Sequence, residues 1–220
     1  MQALFDYYRY NMEYFLIKLG EHMSIFALSW AMAIVVGLLI AIASTRPGRM
    51  KIGNALLTIT GFSQAVPSIA VIALVFIFTG IGFRPAVLAL FIYSLVPIVF
   101  NAASGLVSVS PGMKEAARGM GMTNGQILRK VELPASVPAI LSGIRSAATI
   151  NIGTTTIAAA IGAGGLGEII FTGIRNFNFT IILAGAIPTA ITAILVDVVL
   201  SVVEKRVTSK GLQLAEHWRE

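Results

Sequence analysis

The 220-residue chain contains no cysteine. That removes a disulfide framework, a thiolate metal site and a cysteine nucleophile together. Its two histidines, His22 and His217, lie near opposite ends and cannot form a histidine-rich metal site. Each is expected at a surface or a membrane boundary. No nucleophile–base pair and no metal-ligand cluster stands out, so no catalytic residue and no metal site is assigned. No GxxxxGK[ST] string occurs, so the chain has no Walker-type ATP site of its own. Charge is scarce too. Asp, Glu, Lys and Arg make up 12% of the residues, against roughly 25% in a soluble domain. So few charges cannot cover a globule of this size. A free soluble enzyme, a disordered tail and a nucleic-acid-binding module are excluded on that ground, despite a net charge of +6.

What is abundant is apolar sequence, 56% hydrophobic, with mean hydropathy +0.85. A spanning helix needs about 20 such residues. The expected fold is an all-α integral membrane protein with about five transmembrane helices. Residues 1–21 hold charges and several tyrosines, with Leu4, Phe5, Tyr8, Met12, Phe15, Leu16 and Leu19 at helical spacing; this suits an extracytoplasmic interfacial helix, or equally an amphipathic helix packed on a partner, and not a cleavable signal peptide. The membrane domain is expected over residues 22–205 and a cytoplasmic tail over 206–220. The spans are expected near His22–Ser44, Ile52–Gly82 (one kinked or tilted helix around Pro67), Ala86–Val109, Ser146–Leu166 and Thr180–Val203. Six spans follow if Ile52–Gly82 divides.

Five spans place the chain ends on opposite sides. The basic residues then separate. Arg46, Arg49, Lys51, Lys114, Arg118, Arg129, Lys130, Arg145, Lys205, Arg206, Lys210 and Arg219 share one side. Arg9, Lys18, Arg84 and Arg175 share the other. Positive charge favours the cytoplasm, so the N-terminus is expected outside and the C-terminus inside. Charges within spans are costly and become functional candidates. Asp197 is expected to pair with Arg145 as a structural contact. Gln64, Asn101, Asn151, Thr154 and Thr155 are polar at membrane depth. They suit either a translocation path or hydrogen bonds that hold helices together. The Gly162–Gly167 string matches GxGGxG, but it follows an apolar span and not a strand, so it reads as a glycine turn at the outer surface.

The long polar insert, residues 110–134, falls on the cytoplasmic side. Ser110 with Pro111 after it suits a helix start, and Ala116 and Ala117 suit an exposed small-residue face. Gly119 and Gly121 are expected to stop that helix near Met120. Thr123 is expected to cap a second helix, Asn124–Val131, which Pro134 ends.

Glu115-Ala116-Ala117, then Gly121, then Val131-Glu132-Leu133-Pro134 resembles the EAA signature of ABC importer membrane subunits: EAA, three residues, Gly, nine residues, Ile-x-Leu-Pro. Only Val131 departs from it. The likeness runs from about Gly20 to Leu212. Gln64-Ala65-Val66-Pro67-Ser68, Phe91–Ile98, Gly164–Gly167 and the tail Val203–Leu212 are similar to the osmoprotectant branch, with Ser209 where Pro is expected. That resemblance implies the type I importer fold. It implies import of a glycine betaine-, carnitine- or choline-type compound by alternating access. It makes Glu115, Ala116, Ala117, Gly121, Leu133 and Pro134 the coupling segment. It also implies partners: two ATPase subunits holding ATP-Mg, a second permease subunit, identical or homologous, and a separate extracytoplasmic binding protein. This chain would itself bind no cofactor and sit in a bacterial or archaeal cell membrane. Methionine or amino-acid permeases share the segment and are the nearest alternative. An ATP-independent channel and a membrane scaffold are more remote.

Overall fold

The computed structural model describes residues 2–48, 50–63 and 66–208, and all secondary structure among them is helical. Helix α1 runs over Gln2–Ser44, with non-helical torsions at Asn11 but no break near residue 21. Then come α2 (Met50–Ser63), α3 (Ser68–Thr79), α4 (Phe83–Val107), α5 (Pro111–Gly119) and α6 (Asn124–Ile127). A π-helical turn, Leu128–Glu132, leads into α7 (Leu133–Ala158). A 3-10 turn follows, then α8 (Leu166–Arg175) and α9 (Phe179–Val207).

Among the described residues, α1, α4 and α9 are each long and apolar enough to cross a membrane. The stretch Asn124–Ile161 and α8 together are also long and apolar enough, as a pair bent by 58° at the glycine turn that fits either a broken span or a re-entrant loop. The expected single span over Ile52–Gly82 is divided into α2 and α3, each shorter than a full crossing.

Helix α4 is the centre of the bundle and packs on α1 and α7. Small residues make the approach close. A Cβ on Gly37 would stand 2.8 Å from Ile98 Cγ2, and one on Gly143 would stand 2.9 Å from the Pro97 carbonyl oxygen. Ala33, Ile98 and Ala147 are fully buried where these three helices meet. Without a hydrophobic drive between helices in lipid, such small-residue contacts supply the packing. The outward faces of α9 carry Ile191, Leu195, Val198 and Val202, all exposed, as a lipid- or partner-facing surface requires.

Two expectations are corrected here. Pro134 does not end a helix. It sits in the first turn of α7, and the chain from Asn124 to Ile161 is helical throughout. Proline removes one donor and its ring crowds the carbonyl four residues back. The π turn at Leu128–Glu132 widens the backbone where that conflict falls. The helix that holds the expected fourth span therefore begins 13 residues before Ser146, at Leu133. His22 is not at a surface either. It is fully buried, packed where a Cβ on Gly165 would come within 3.3 Å of its ring. His217 lies outside the described residues.

The N-terminal part of α1 packs on the end of the bundle. Leu4, Tyr7, Tyr8, Phe15 and Leu19 cover Leu166, Ile169 and Ala184. The Tyr8 hydroxyl donates to the Ala184 carbonyl at 3.0 Å.

Candidate functional site

The segment between α4 and α7 is the one long excursion from the bundle. Pro111 stands at the start of α5, where its missing N–H costs nothing. Ser110 is the N-cap by position, although its side chain makes no capping bond. The helix stops at Gly119. Gly121 then takes φ +76°, a left-handed conformation that side chains adopt only with strain. Its amide donates to the Arg118 carbonyl at 2.9 Å, and the Met122 amide donates to the Ala117 carbonyl at 3.1 Å. Thr123 starts the next helix through a full capping box: its hydroxyl accepts from the Gln126 amide, and the Gln126 side chain accepts from the Thr123 amide.

Glu115 and Ala116 are exposed on α5, ready to meet another molecule. Ala117 is 1% exposed, so it faces inward against the expected small-residue surface. The reason is periodicity: α5 needs one apolar contact with the segment it packs on. Leu133 is half-buried and Pro134 exposed, beside α5 at the start of α7. A groove of about 350 Å³ separates the two, lined by Met113, Lys130, Val131, Pro134, Ala135 and Val207.

Beneath α5 lies an ion-pair cluster absent from the sequence expectations. Glu132 is buried. Its Oε2 accepts from Arg46 Nη1 at 2.8 Å, and its Oε1 is 3.2 Å from Lys114 Nζ. A lone acid four residues past Leu128, flanked by apolar Val131 and Leu133, was the only sequence signal for it.

Farther into the bundle, Arg145 and Asp197 are joined. Arg145 Nε and Nη2 donate to the two Asp197 oxygens at 2.6 and 2.9 Å, and Nη1 reaches Glu204 at 3.4 Å. This is the bidentate geometry favoured by guanidinium and carboxylate. It ties α7 to α9.

The polar residues at membrane depth do not converge on one surface. Asn151 is fully buried; its Nδ2 donates to Ser29 Oγ at 2.9 Å and Ser94 Oγ at 2.7 Å. Thr155 Oγ1, also buried, donates to the Asn151 carbonyl. These contacts clasp α1, α4 and α7. Thr154 donates to the Ile150 carbonyl and Asn101 Nδ2 to the Pro97 carbonyl, each within its own helix. Gln64 lies outside the described residues.

At the opposite end of the bundle from Glu132, the glycine turn holds an anion from its own chain. Gly164 and Gly165 both have φ near +80°. The Gly165 amide donates to Glu21 Oε2 at 2.8 Å. Backbone amides in such turns form a concavity for negative charge, and here Glu21 fills it. Lys18 bridges Glu21 and Glu168 at 3.0 and 2.8 Å. Burial pulls the Lys18 ammonium down, but its hydrogen bonds to the two carboxylates outweigh this and leave its pKa raised. Tyr14, whose hydroxyl donates to Glu168, is raised by burial first and by the Glu168 charge second.

The fold is a bundle of long apolar helices with a short helix, α5, projecting from one end, the architecture of a membrane-embedded subunit. The chain belongs to the family of binding-protein-dependent transport system inner membrane components, whose model matches residues 33–209. It is 38% identical over 214 residues to the glycine betaine/carnitine/choline transport system permease protein OpuCB of Bacillus subtilis, covering 97% of each chain. It is 37% identical to the carnitine transport permease protein OpuCB of Listeria monocytogenes, over the whole of both. Its fold matches a chain of the MetNI methionine ABC transporter, solved in inward-facing conformations. That match has a TM-score of 0.77 at 26% identity, covering 90% of this chain and 98% of that one.

Proposed function

We propose that this chain is the permease subunit of an ATP-driven importer for a small quaternary ammonium osmoprotectant of the glycine betaine, carnitine or choline kind. The observation that carries the substrate class is its end-to-end likeness to permeases named for those solutes, at 37–38% identity. The fold match to a methionine transporter has lower identity, which supports the osmoprotectant reading over the methionine one.

In this reading α5 is the coupling helix. Exposed Glu115 and Ala116 enter a cleft of an ATPase subunit, and Gly121 gives the tight turn that lets the segment seat. Leu133 and Pro134 anchor the return into α7. Two ATPase subunits hold ATP-Mg below, a second permease subunit completes the path, and a binding protein delivers the solute from outside. The N-terminus is outside and α5 cytoplasmic, an arrangement that the distribution of Lys and Arg supports. Helices α2 and α3 together supply the fifth crossing. Asn101 and Thr154 stay candidates for the path, whereas Asn151 and Thr155 hold the helices that frame it.

The test is uptake by vesicles holding this chain with its ATPase and binding protein. Labelled glycine betaine, carnitine, choline and methionine are offered with and without ATP. Entry of a quaternary ammonium solute only with ATP is the expected result. Entry without ATP supports a channel, and entry of methionine alone moves the chain to the other branch. Gly121→Asp should abolish uptake while solute affinity of the binding protein is unchanged.

A further inference from the structure

Three helical segments meet at one carboxylate. Glu132, at the end of the π turn, uses each oxygen for a different cation on a different segment. Arg46 lies just past α1, and its Nε also donates to the Ile42 carbonyl at 2.9 Å, which fixes it to that helix end. Lys114 belongs to α5, and its ammonium also donates to the Leu106 carbonyl on α4 at 3.3 Å. The Glu132 carbonyl accepts from Ser136 Oγ in the first turns of α7 at 2.7 Å. Side-chain exposures are 10% for Glu132, 16% for Lys114 and 22% for Arg46. Exposed ion pairs contribute little. A shielded triad behaves otherwise, because removing one member strands the charge of the others.

Lys114 immediately precedes Glu115. Besides the short links at Ser108–Ser110 and Met120–Thr123, the second containing Gly121, α5 is held by buried Ala117 and by Lys114, which reaches both Leu106 and Glu132. Neither link sets the tilt of α5. We propose that Glu132 is a positioning residue that fixes the angle between α5 and the bundle. Displacement of α5 then passes into α1 and α7 and is not absorbed by the two links. The inference rests on the assignment of α5 as the coupling helix.

The experiment uses the assembled complex in liposomes. Because this chain lacks cysteine, cysteines placed at Ala43 on α1 and Met120 after α5, both exposed, carry its only spin labels once any reactive cysteines of the partner subunits are replaced. In Glu132→Gln the distance distribution between them should broaden. Solute moved per ATP hydrolysed should fall at least about fivefold, a usual size for coupling between sites, with hydrolysis retained. Lys114→Gln should show the same two effects, and the double variant should be no worse than Glu132→Gln alone. Glu132→Asp should recover part of the ratio. An unchanged distribution, or an unchanged ratio of solute to ATP, overturns the proposal. If Glu132→Gln fails to assemble, Lys114→Gln decides on the same readings, since it leaves the Arg46 pair in place. A broadened distribution in a complex whose unsubstituted form shows no ATP-dependent uptake would refute the coupling assignment and leave the Glu132 contact standing.

Discussion

Single residues in this protein divide between holding and moving. Asn151 holds. Its amide satisfies two serine hydroxyls on neighbouring helices, in a place no water reaches. Hydrogen bonds between membrane helices average well under 1 kcal/mol each and reach about 1.7. Asn151→Leu should therefore lower stability by about 1–2 kcal/mol, read as a lower unfolding midpoint in a mixed-detergent titration. Little of this was legible in the sequence. Asn151 was visible as polar at depth, but its partners lie 122 and 57 positions away. The same holds for Glu132, whose Arg46 partner is 86 positions off, and for Glu21, bonded to a glycine 144 positions away. Local pattern says that a buried polar residue needs a partner; it does not say which. Arg145 with Asp197 was accessible because so few charges exist at that depth that each had few candidates.

At the scale of elements, boundaries set by chemistry of the backbone were easier to read than continuity. Thr123 caps the helix it was expected to cap, and Gln126 completes the capping box. Gly121 takes the positive φ its place after α5 requires. Pro134 misled, because a π turn has no sequence signature as plain as a cap, and it let a proline pass inside a helix. The glycine turn between α7 and α8 is the clearest case of an element fixed by a distant contact. A Cβ on Gly164 would overlap the Glu21 carboxylate, and its φ of +81° adds strain. Gly164→Ala should cost about 1–3 kcal/mol. It should also expose the turn, seen as faster protease cleavage near Gly162–Leu166 from the side that carries Glu21.

For the whole molecule, the apolar runs were legible because hydrocarbon leaves backbone groups no partner but their own helix. The family signature was legible because it lies in one continuous segment. The break between α2 and α3 falls where Pro67 marked a kink, but length alone allowed one bent span as readily as two pieces. The charge distribution gives a direct check on orientation. A cysteine at Met120, 69% exposed, should react with an impermeant reagent only from the cytoplasmic side. One at Phe177, 93% exposed, should react only from outside. Labelling of both from one side would contradict the proposed arrangement of spans.

The continuous helical stretch Asn124–Ile161 joins the segment that follows α5 to the whole of α7. Its 38 residues correspond to about 57 Å at 1.5 Å per residue. A tilt of about 10° at one end would carry the other through about 10 Å on that length. The far end is the glycine turn, where the helix bends by 58° into α8. Under the proposed function, a stroke at the end near α5 would move the glycine turn at the other end of this stretch.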